Sequence, residues 1–544
     1  MSRSTVDAPA GRLRSFEHPV AFWLGAAACT AGVLLHLPMF LAARHMGYHL
    51  AGMPMDTPML IGMALIVLGL LAVCYGLVPR GSGDIKKTAS RLRVSALDDA
   101  PMRPAHVALA VVMAVAVTID VMKPTALAFV APGFAHEYGL KAPGNPHGHI
   151  PVSWLPLVGI AGTVFGSWLW GVLGDRIGRR SSIILAGVIF VSTSICGAMP
   201  SFGWNLAMCA VMGTGAGGML PITFTLLAET IPARHRGWLM VLIGGDIAGA
   251  YVITSWLAGW LTPTYSWRIL WLLGLPTGLL FIALQRWIPE SPRFLLARGR
   301  RAEAEQVMAR YGATVEEIAP EEVELDQTVG RVGFRILLRR PLLSPTLAIT
   351  VLGLGVGLMT YGFQLWVPTN LQHLGYSAVN SDYVVRNAAL LGLPLTVLTA
   401  WLYHVWGSRR TIVVVSGVTG LTLLAFVVAG SSLAHHHLLL SLLLVIPLSG
   451  VSSVVAVVAS YASEIYPTLV RSRGTGLAAG MTKAGGVLIL AMTVASAAVP
   501  SIAVTALIGA VPLLVAAVCF LWTGPETRNR RLEEIGRSLL VAEG

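Results

Sequence analysis

The chain has 544 residues, of which 55% are hydrophobic and only 12% charged, and its mean hydropathy is +0.72. Soluble domains carry roughly 25% charged residues, so this composition excludes a water-soluble globular protein and predicts an integral membrane one. The formal net charge of +12 does not point to nucleic acid, because the Lys and Arg sit in short loops beside apolar runs and form no interleaved basic-aromatic face.

Lipid gives the backbone no hydrogen-bond partners, so spanning segments must be helices or a closed barrel. The apolar runs have helix length and lack the alternation of barrel strands, which makes the predicted fold class all-α. In chain order the runs fall near 20–43, 57–79, 105–132, 153–173, 181–200, 205–231, 238–260 and 268–288, and then near 343–368, 384–406, 411–431, 438–463, 475–498 and 501–523. That is about fourteen transmembrane helices. The predicted organisation is an N-terminal two-helix extension with its linker (1–104), a first six-helix bundle (105–288), a linker (289–341), a second six-helix bundle (342–523) and a tail (524–544). The linker is too small for a core of its own and contains a predicted amphipathic helix around RRAEAEQVMARYG, followed by an acidic patch from Glu316 to Asp326.

With the basic N-terminus (Arg3, Arg12, Arg14) inside, every second loop is cytoplasmic. Those loops hold Lys86, Lys87, Arg91 and Arg93; Arg176, Arg179 and Arg180; Arg234 and Arg236; Arg298 to Arg301; Arg409 and Arg410; Arg471 and Arg473; and Arg528 to Arg531. The opposite loops carry almost none, so one topology satisfies the positive-inside rule at every turn, with both termini cytoplasmic in a cell membrane. Five cysteines are scattered singly through apolar segments without C-x-x-C spacing, and neither a disulfide framework nor a structural zinc site is expected.

Two short strings recur half a chain apart. AETIPARHRG carries Glu229, Pro232 and Arg236, and SEIYPTLVRSRG carries Glu464, Pro467 and Arg471 at the same spacing. The same offset, to within a residue, carries PESPR (Pro289 to Arg293) onto PETRN (Pro525 to Asn529), so most of a half is duplicated. Paired repeats in a membrane mark a solute pathway between halves that rock against each other. GVLGDRIGRR (Gly171 to Arg180) occupies a very short inside loop. A tight basic turn accounts for Gly171, Gly178, Arg176, Arg179 and Arg180 but not for Asp175, an acid that can pair with a neighbouring cation in one conformation and release it in another.

These strings resemble the major facilitator superfamily: GVLGDRIGRR is similar to its loop signature, and Gly213 to Gly237, Pro289 to Arg300 and Pro525 to Ile535 resemble its sugar-porter, synaptic-vesicle-glycoprotein-like and organic-acid branches. The resemblance runs from about residue 105 to the C-terminus. It implies alternating-access transport, often driven by proton symport, with gating at Glu229, Arg236, Glu464 and Arg471 beside the loop signature. Several positions depart from the family pattern. His404 replaces the acid in the second-half counterpart AWLYHVWGSRR, Cys209 stands where many relatives carry Arg, and YGFQLWVPTN lacks the paired glutamines of hexose porters. Gly244 stands near a further usual glutamine position. Hexose is therefore not the expected solute.

Four ionisable residues fall in mid-span: Asp120, Lys123, Asp246 and Lys483. Each would cost about 3 kcal/mol facing lipid, so they are expected to face the bundle interior. Two readings stand. In one, Asp120 with Lys123 and Asp246 with Lys483 form buried pairs that join helices. In the other, Asp120 or Asp246 accepts the coupling proton while Lys123 or Lys483 attracts an anionic group on the solute, with Gln364, Tyr361, Asn370, Trp366 and Tyr461 as polar or aromatic contacts.

The first hairpin is rich in Met and His (His36, Met39, His45, Met46, His49, Met53, Met55, Met59, Met63), and His147, His149 and His435 to His437 lie in outer loops. Thioethers and imidazoles suit Cu(I), so transition-metal transport is one reading, and ordinary packing is the other. The expectation is a transporter of a small organic solute, probed first as proton-coupled uptake of an organic or aromatic acid, with a transporter-like solute sensor as the alternative. The expected partners are the solute, protons and the lipid bilayer, with no cofactor, no resident metal, no nucleic acid and no enzymatic chemistry.

Overall fold

The computed structural model describes residues 16–78, 92–93, 97–142, 145, 147–297, 300–313, 316–317, 337–340, 342–367, 371, 378–429, 437–466, 471–496 and 501–530. Among these, fourteen helical segments are long and apolar enough to cross a membrane. The first eight are α1 (Pro19–Met46), α2 (Thr57–Leu77), α3 (Pro104–Glu137), α4 (Trp154–Gly174), α5 (Arg179–Ala198), α6 (Phe202–Thr230), α7 (Ala233–Tyr265) and α8 (Ile269–Trp287). The second group is α9 (Leu343–Trp366), α10 (Arg386–Trp406), α11 (Ser408–Val428), α12 (Leu442–Ile465), α13 (Arg473–Ser496) and α14 (Ala503–Trp522). The fold is all-α: two six-helix halves, α3–α8 and α9–α14, with α1 and α2 added at the N-terminus.

Local signals start the helices. The Asp56 carboxylate accepts the Met59 N–H at 2.9 Å at the head of α2, and Pro residues occupy the first turns of α1, α2 and α3, where a missing N–H costs nothing. Glycines set the spacing of α1 against α2. A Cβ at Gly25 would lie 2.6 Å from the Gly69 carbonyl and one at Gly62 2.6 Å from that of Gly32, so the two backbones meet with no side chain between them.

This helical pair packs on α5 of the first half. It is also fastened at the loop joining its two helices, where the Leu50 and Ala51 N–H groups donate to Glu137 Oε1 at 2.8 and 3.0 Å. Glu137 in turn receives Arg268 Nη2 at 2.6 Å and Trp267 Nε1 at 3.0 Å. Beyond α8, the helix Arg301–Tyr311 buries Ala304, Val307, Met308 and Tyr311, the one-face spacing expected of an amphipathic linker helix.

The halves meet chiefly where α13 lies along α4 and where α7 packs on α10 and α12. Several spans are irregular, three of them where the halves face each other. α6 is interrupted at Gly217 and Gly218, α7 at Gly245 and Asp246, and α9 passes into a π-helical turn at Met359–Phe363. Backbone irregularity within a membrane is tolerated only where protein or a cavity satisfies it.

Candidate functional site

The broken helices surround a central cavity of about 160 Å³. Its polar lining comes from both halves: Asp120 on α3, Tyr361 and Gln364 on the distorted end of α9, and Lys483 on α13. Asp120 and Lys483 attract one another across it. Asp120 is 5% exposed, and its Oδ1 has no hydrogen-bond partner. A buried carboxylate oxygen left this way costs free energy that a proton or a ligand donor would recover.

Lys483 Nζ donates to Ser167 Oγ at 3.2 Å and to the Gly217 carbonyl at 3.1 Å. That carbonyl lies at the C-terminal end of the first part of α6, where the helix dipole favours a cation. Lys483 thus bridges the halves at mid-membrane while facing the cavity. The remaining walls are mostly apolar or aromatic, with Phe224 and Tyr251 from the first half and Val451, Val455 and Val458 from the second.

Two of the four mid-span charges lie elsewhere, and neither proposed intramembrane ion pair forms. Lys123 is on the flank of α3 away from the cavity, where its Nζ lies 5.5 Å from the centre of the Phe190 ring and close to Ser194 and the helix break at Gly274. Asp246 accepts from the Thr118 hydroxyl and joins α7 to α3. Two of the aromatic candidates also fall outside. Trp366 packs in an apolar cluster with Phe134 and Ile489, and the Tyr461 hydroxyl donates to the Pro525 carbonyl at 3.1 Å. Asn370 and His435 to His436 lie outside the described residues. In the hairpin, Met39 and Met59 are packed in the core, and His36 is buried with Nδ1 2.7 Å from the Gly32 carbonyl oxygen.

The cavity is closed toward the basic loops by a layer of buried ions built from the duplicated strings. Glu229 of the first half lies 3.9 Å from Arg471 of the second, and Glu464 of the second lies 3.8 Å from Arg236 of the first. Each repeat therefore pairs its acid with the arginine of the other repeat. Glu229 also pairs with Arg179 at 3.3 Å and accepts the Ser291 hydroxyl at 2.5 Å. Glu464 accepts the Tyr403 and Thr527 hydroxyls at 2.9 and 2.6 Å, while Arg236 also reaches Asp98 at 2.6 Å.

The PES and PET strings act on the helix that follows each loop. Glu290 accepts the Arg179 N–H at 2.8 Å and Glu526 the Ser408 N–H at 2.8 Å, a carboxylate at each helix N-terminus. The preceding residues are Gly178 (φ +96°) and Gly407 (φ +93°), where a Cβ would be strained and would collide with those carboxylates. Burial holds the Glu290 carboxyl above the usual glutamate range, against the pull of the Ser291 and Arg179 N–H donors.

Of the other loop residues, Arg180 Nη2 donates to Gln285 Oε1 at 3.4 Å, and Arg176 is exposed. Gly171 lies on α4 where α13 passes closely, 3.7 Å from the Cβ position of Gly476. The side chain of Asp175 lies outside the described residues.

Two pseudo-symmetric helical halves that share a mid-membrane cavity, shut on one face by crosswise ion pairs, define a membrane transporter. The chain belongs to the Major Facilitator Superfamily, whose family model matches residues 109–490. It is 26% identical to the niacin transporter NiaP of Acinetobacter baylyi over 451 residues, covering 81% of this chain and 99% of that one. It is 24% identical to the 4-hydroxybenzoate transporter PcaK of the same organism, covering 75% and 88%. Among solved structures, the proton:xylose symporter XylE bound to 6-bromo-6-deoxy-D-glucose superposes with a TM-score of 0.67 at 19% identity, over 80% of this chain and 99% of that one.

Proposed function

We propose that the chain is a proton-coupled transporter that takes up a small organic acid, most simply an aromatic monocarboxylate, across the cell membrane, with its basic loops and both termini in the cytoplasm. The observation that carries this reading is one cavity holding a carboxylate, Asp120, whose Oδ1 has no hydrogen-bond partner, and a cation, Lys483, within apolar and aromatic walls. Lys483 is suited to the solute carboxylate, Tyr361 and Gln364 to its other polar atoms, and the walls around Phe224 and Tyr251 to an aromatic ring. Asp120 is the proton site.

Charge moves in a consistent way. A carboxylate solute arriving at Lys483 competes with the Ser167 and Gly217 oxygens that hold the ammonium, which loosens one link between the halves. Protonation of Asp120 removes the second negative charge that would otherwise share the cavity with the anion. The relatives named for niacin and 4-hydroxybenzoate agree with this substrate class, since both compounds are ring-bearing carboxylic acids. The hexose alternative lacks the paired glutamines.

Counterflow of labelled nicotinate and 4-hydroxybenzoate into proteoliposomes tests the reading. At least one acid should exchange, and Lys483→Gln should abolish that exchange while the purified variant keeps its folded helical content. Binding of an acid without counterflow would instead identify a sensor, and unchanged exchange by Lys483→Gln would end the assignment of that residue.

A further inference from the structure

A second cavity, of about 100 Å³, lies at the basic-loop face away from the central one. Its walls are the ends of several spans: Phe16 and Glu17 just before α1, Leu77 at the end of α2, Arg180 at the start of α5 and Arg286 at the end of α8, closed over by the linker helix through Arg300 and Arg310. Because its remaining walls are span ends on one side, the cavity is placed at headgroup depth. Trp287, an interfacial residue type, lies at the same span end, with the Arg286 guanidinium 3.8 Å from its ring centre.

The charges in this cavity are unevenly satisfied. Arg300 is held by Glu303 through two contacts of 2.7 Å, and Glu290 is engaged by the Arg179 and Ser291 N–H groups at 2.8 and 3.0 Å. Arg286 and Arg310 form no ion pair with a described residue, and Glu17 is the one lining carboxylate without a hydrogen bond among them. We propose that this cavity binds a phosphate-bearing anion, presented by an anionic phospholipid of the adjoining leaflet, with Arg286 and Arg310 as its principal contacts and Arg180 beneath them.

Guanidinium groups match phosphate oxygens in pairs, and basic pockets between span ends at an interface are where such headgroups settle. An occupant would join three parts of the chain that otherwise meet around a void: the N-terminal helical pair, the loop that supplies Arg179 to the ion layer, and the linker helix. The superfamily match begins at residue 109, so the extension contributes one wall of this cavity from outside the matched region.

The test uses the full chain purified in a neutral detergent, with thermal unfolding and native mass spectrometry as readouts. Phosphatidylglycerol should raise the melting temperature and be retained as a bound adduct, whereas phosphatidylcholine should do neither. The double variant Arg286→Gln, Arg310→Gln should bind phosphatidylglycerol roughly 30-fold more weakly, and Glu17→Gln, which removes a competing carboxylate, should bind it more tightly. If inorganic phosphate stabilises the wild type as strongly as the lipid does, and the double variant loses that effect, the same site serves a soluble phosphate. Equal stabilisation of wild type and double variant by phosphatidylglycerol, or no stabilisation by either ligand, overturns the proposal, and Glu17→Gln guards against a double variant that fails to fold.

Discussion

The two duplicated strings differ in how they satisfy the same buried acid. In the first half Glu229 faces two arginines, Arg179 from its own half and Arg471 from the other. In the second half the position matching Arg179 is Ser408, and Glu464 is left with Arg236, shared with Asp98, and two hydroxyls from Tyr403 and Thr527. The crosswise pair is present in both repeats, while the local partner has changed from cation to neutral donor. The links between halves follow the pseudo-symmetry, and the links within each half need only fill the acid's remaining lone pairs.

That contrast ranks the expected effects of mutation. Glu229→Ala leaves Arg179 and Arg471 without their shared carboxylate, and breaking a buried pair from one side costs about 3–5 kcal/mol. A cysteine at Thr475, where the cavity approaches the ion layer, should then be labelled much faster from the basic-loop face. Glu464→Gln keeps an acceptor for the Tyr403 and Thr527 hydroxyls, so its cost should be nearer about 1–3 kcal/mol and its labelling rate should fall between wild type and Glu229→Ala. Equal effects in the two halves would remove the asymmetry.

The smallest effect concerns Glu290. Its proton is held more tightly in the folded chain than in the unfolded one, so its contribution to stability is full at low pH and is lost as pH rises out of the ordinary glutamate range. Glu290→Gln should flatten that part of the dependence of melting temperature on pH without changing the crosswise pairs. An unaltered slope would show that the Ser291 and Arg179 N–H donors cancel the effect of burial.

Much of this was legible in the sequence because its signals are strong. Apolar runs of helix length located all fourteen spans, and the alternation of basic and non-basic loops agreed with the count. The ends were less visible. α7 extends from Ala233 to Tyr265, beyond the apolar run at 238–260: its polar N-terminal flank packs on the other half through Arg236 and Gly237, and its C-terminal flank ends with Tyr265 beside Tyr48 of the extension. The repeats located Glu229, Arg236, Glu464 and Arg471, but their crosswise pairing depends on how the halves meet.

At the cavity, rarity of charge within spans identified Asp120 and Lys483. The same signal could not separate Lys123 from Asp120. Residues three apart on a helix differ by about 60° in direction, and which flank meets a cavity is decided by neighbours far away in sequence. Here the cavity follows Asp120, Pro124 and Ala128, and the Lys123 flank meets the break in α8. Tyr251 and Phe224 had no separate sequence signal, since aromatics in apolar spans are common.

The most direct test is side-specific labelling of Thr482→Cys, beside Lys483 in the cavity, with the native cysteines replaced and an impermeant thiol reagent applied to each face of oriented vesicles. With the ion layer intact, labelling should come from the face opposite the basic loops, and adding Glu229→Ala should open the same cysteine to the basic-loop face. Labelling from neither face, or from both at rates that Glu229→Ala does not change, would contradict a cavity that the paired acids and arginines expose to one side at a time.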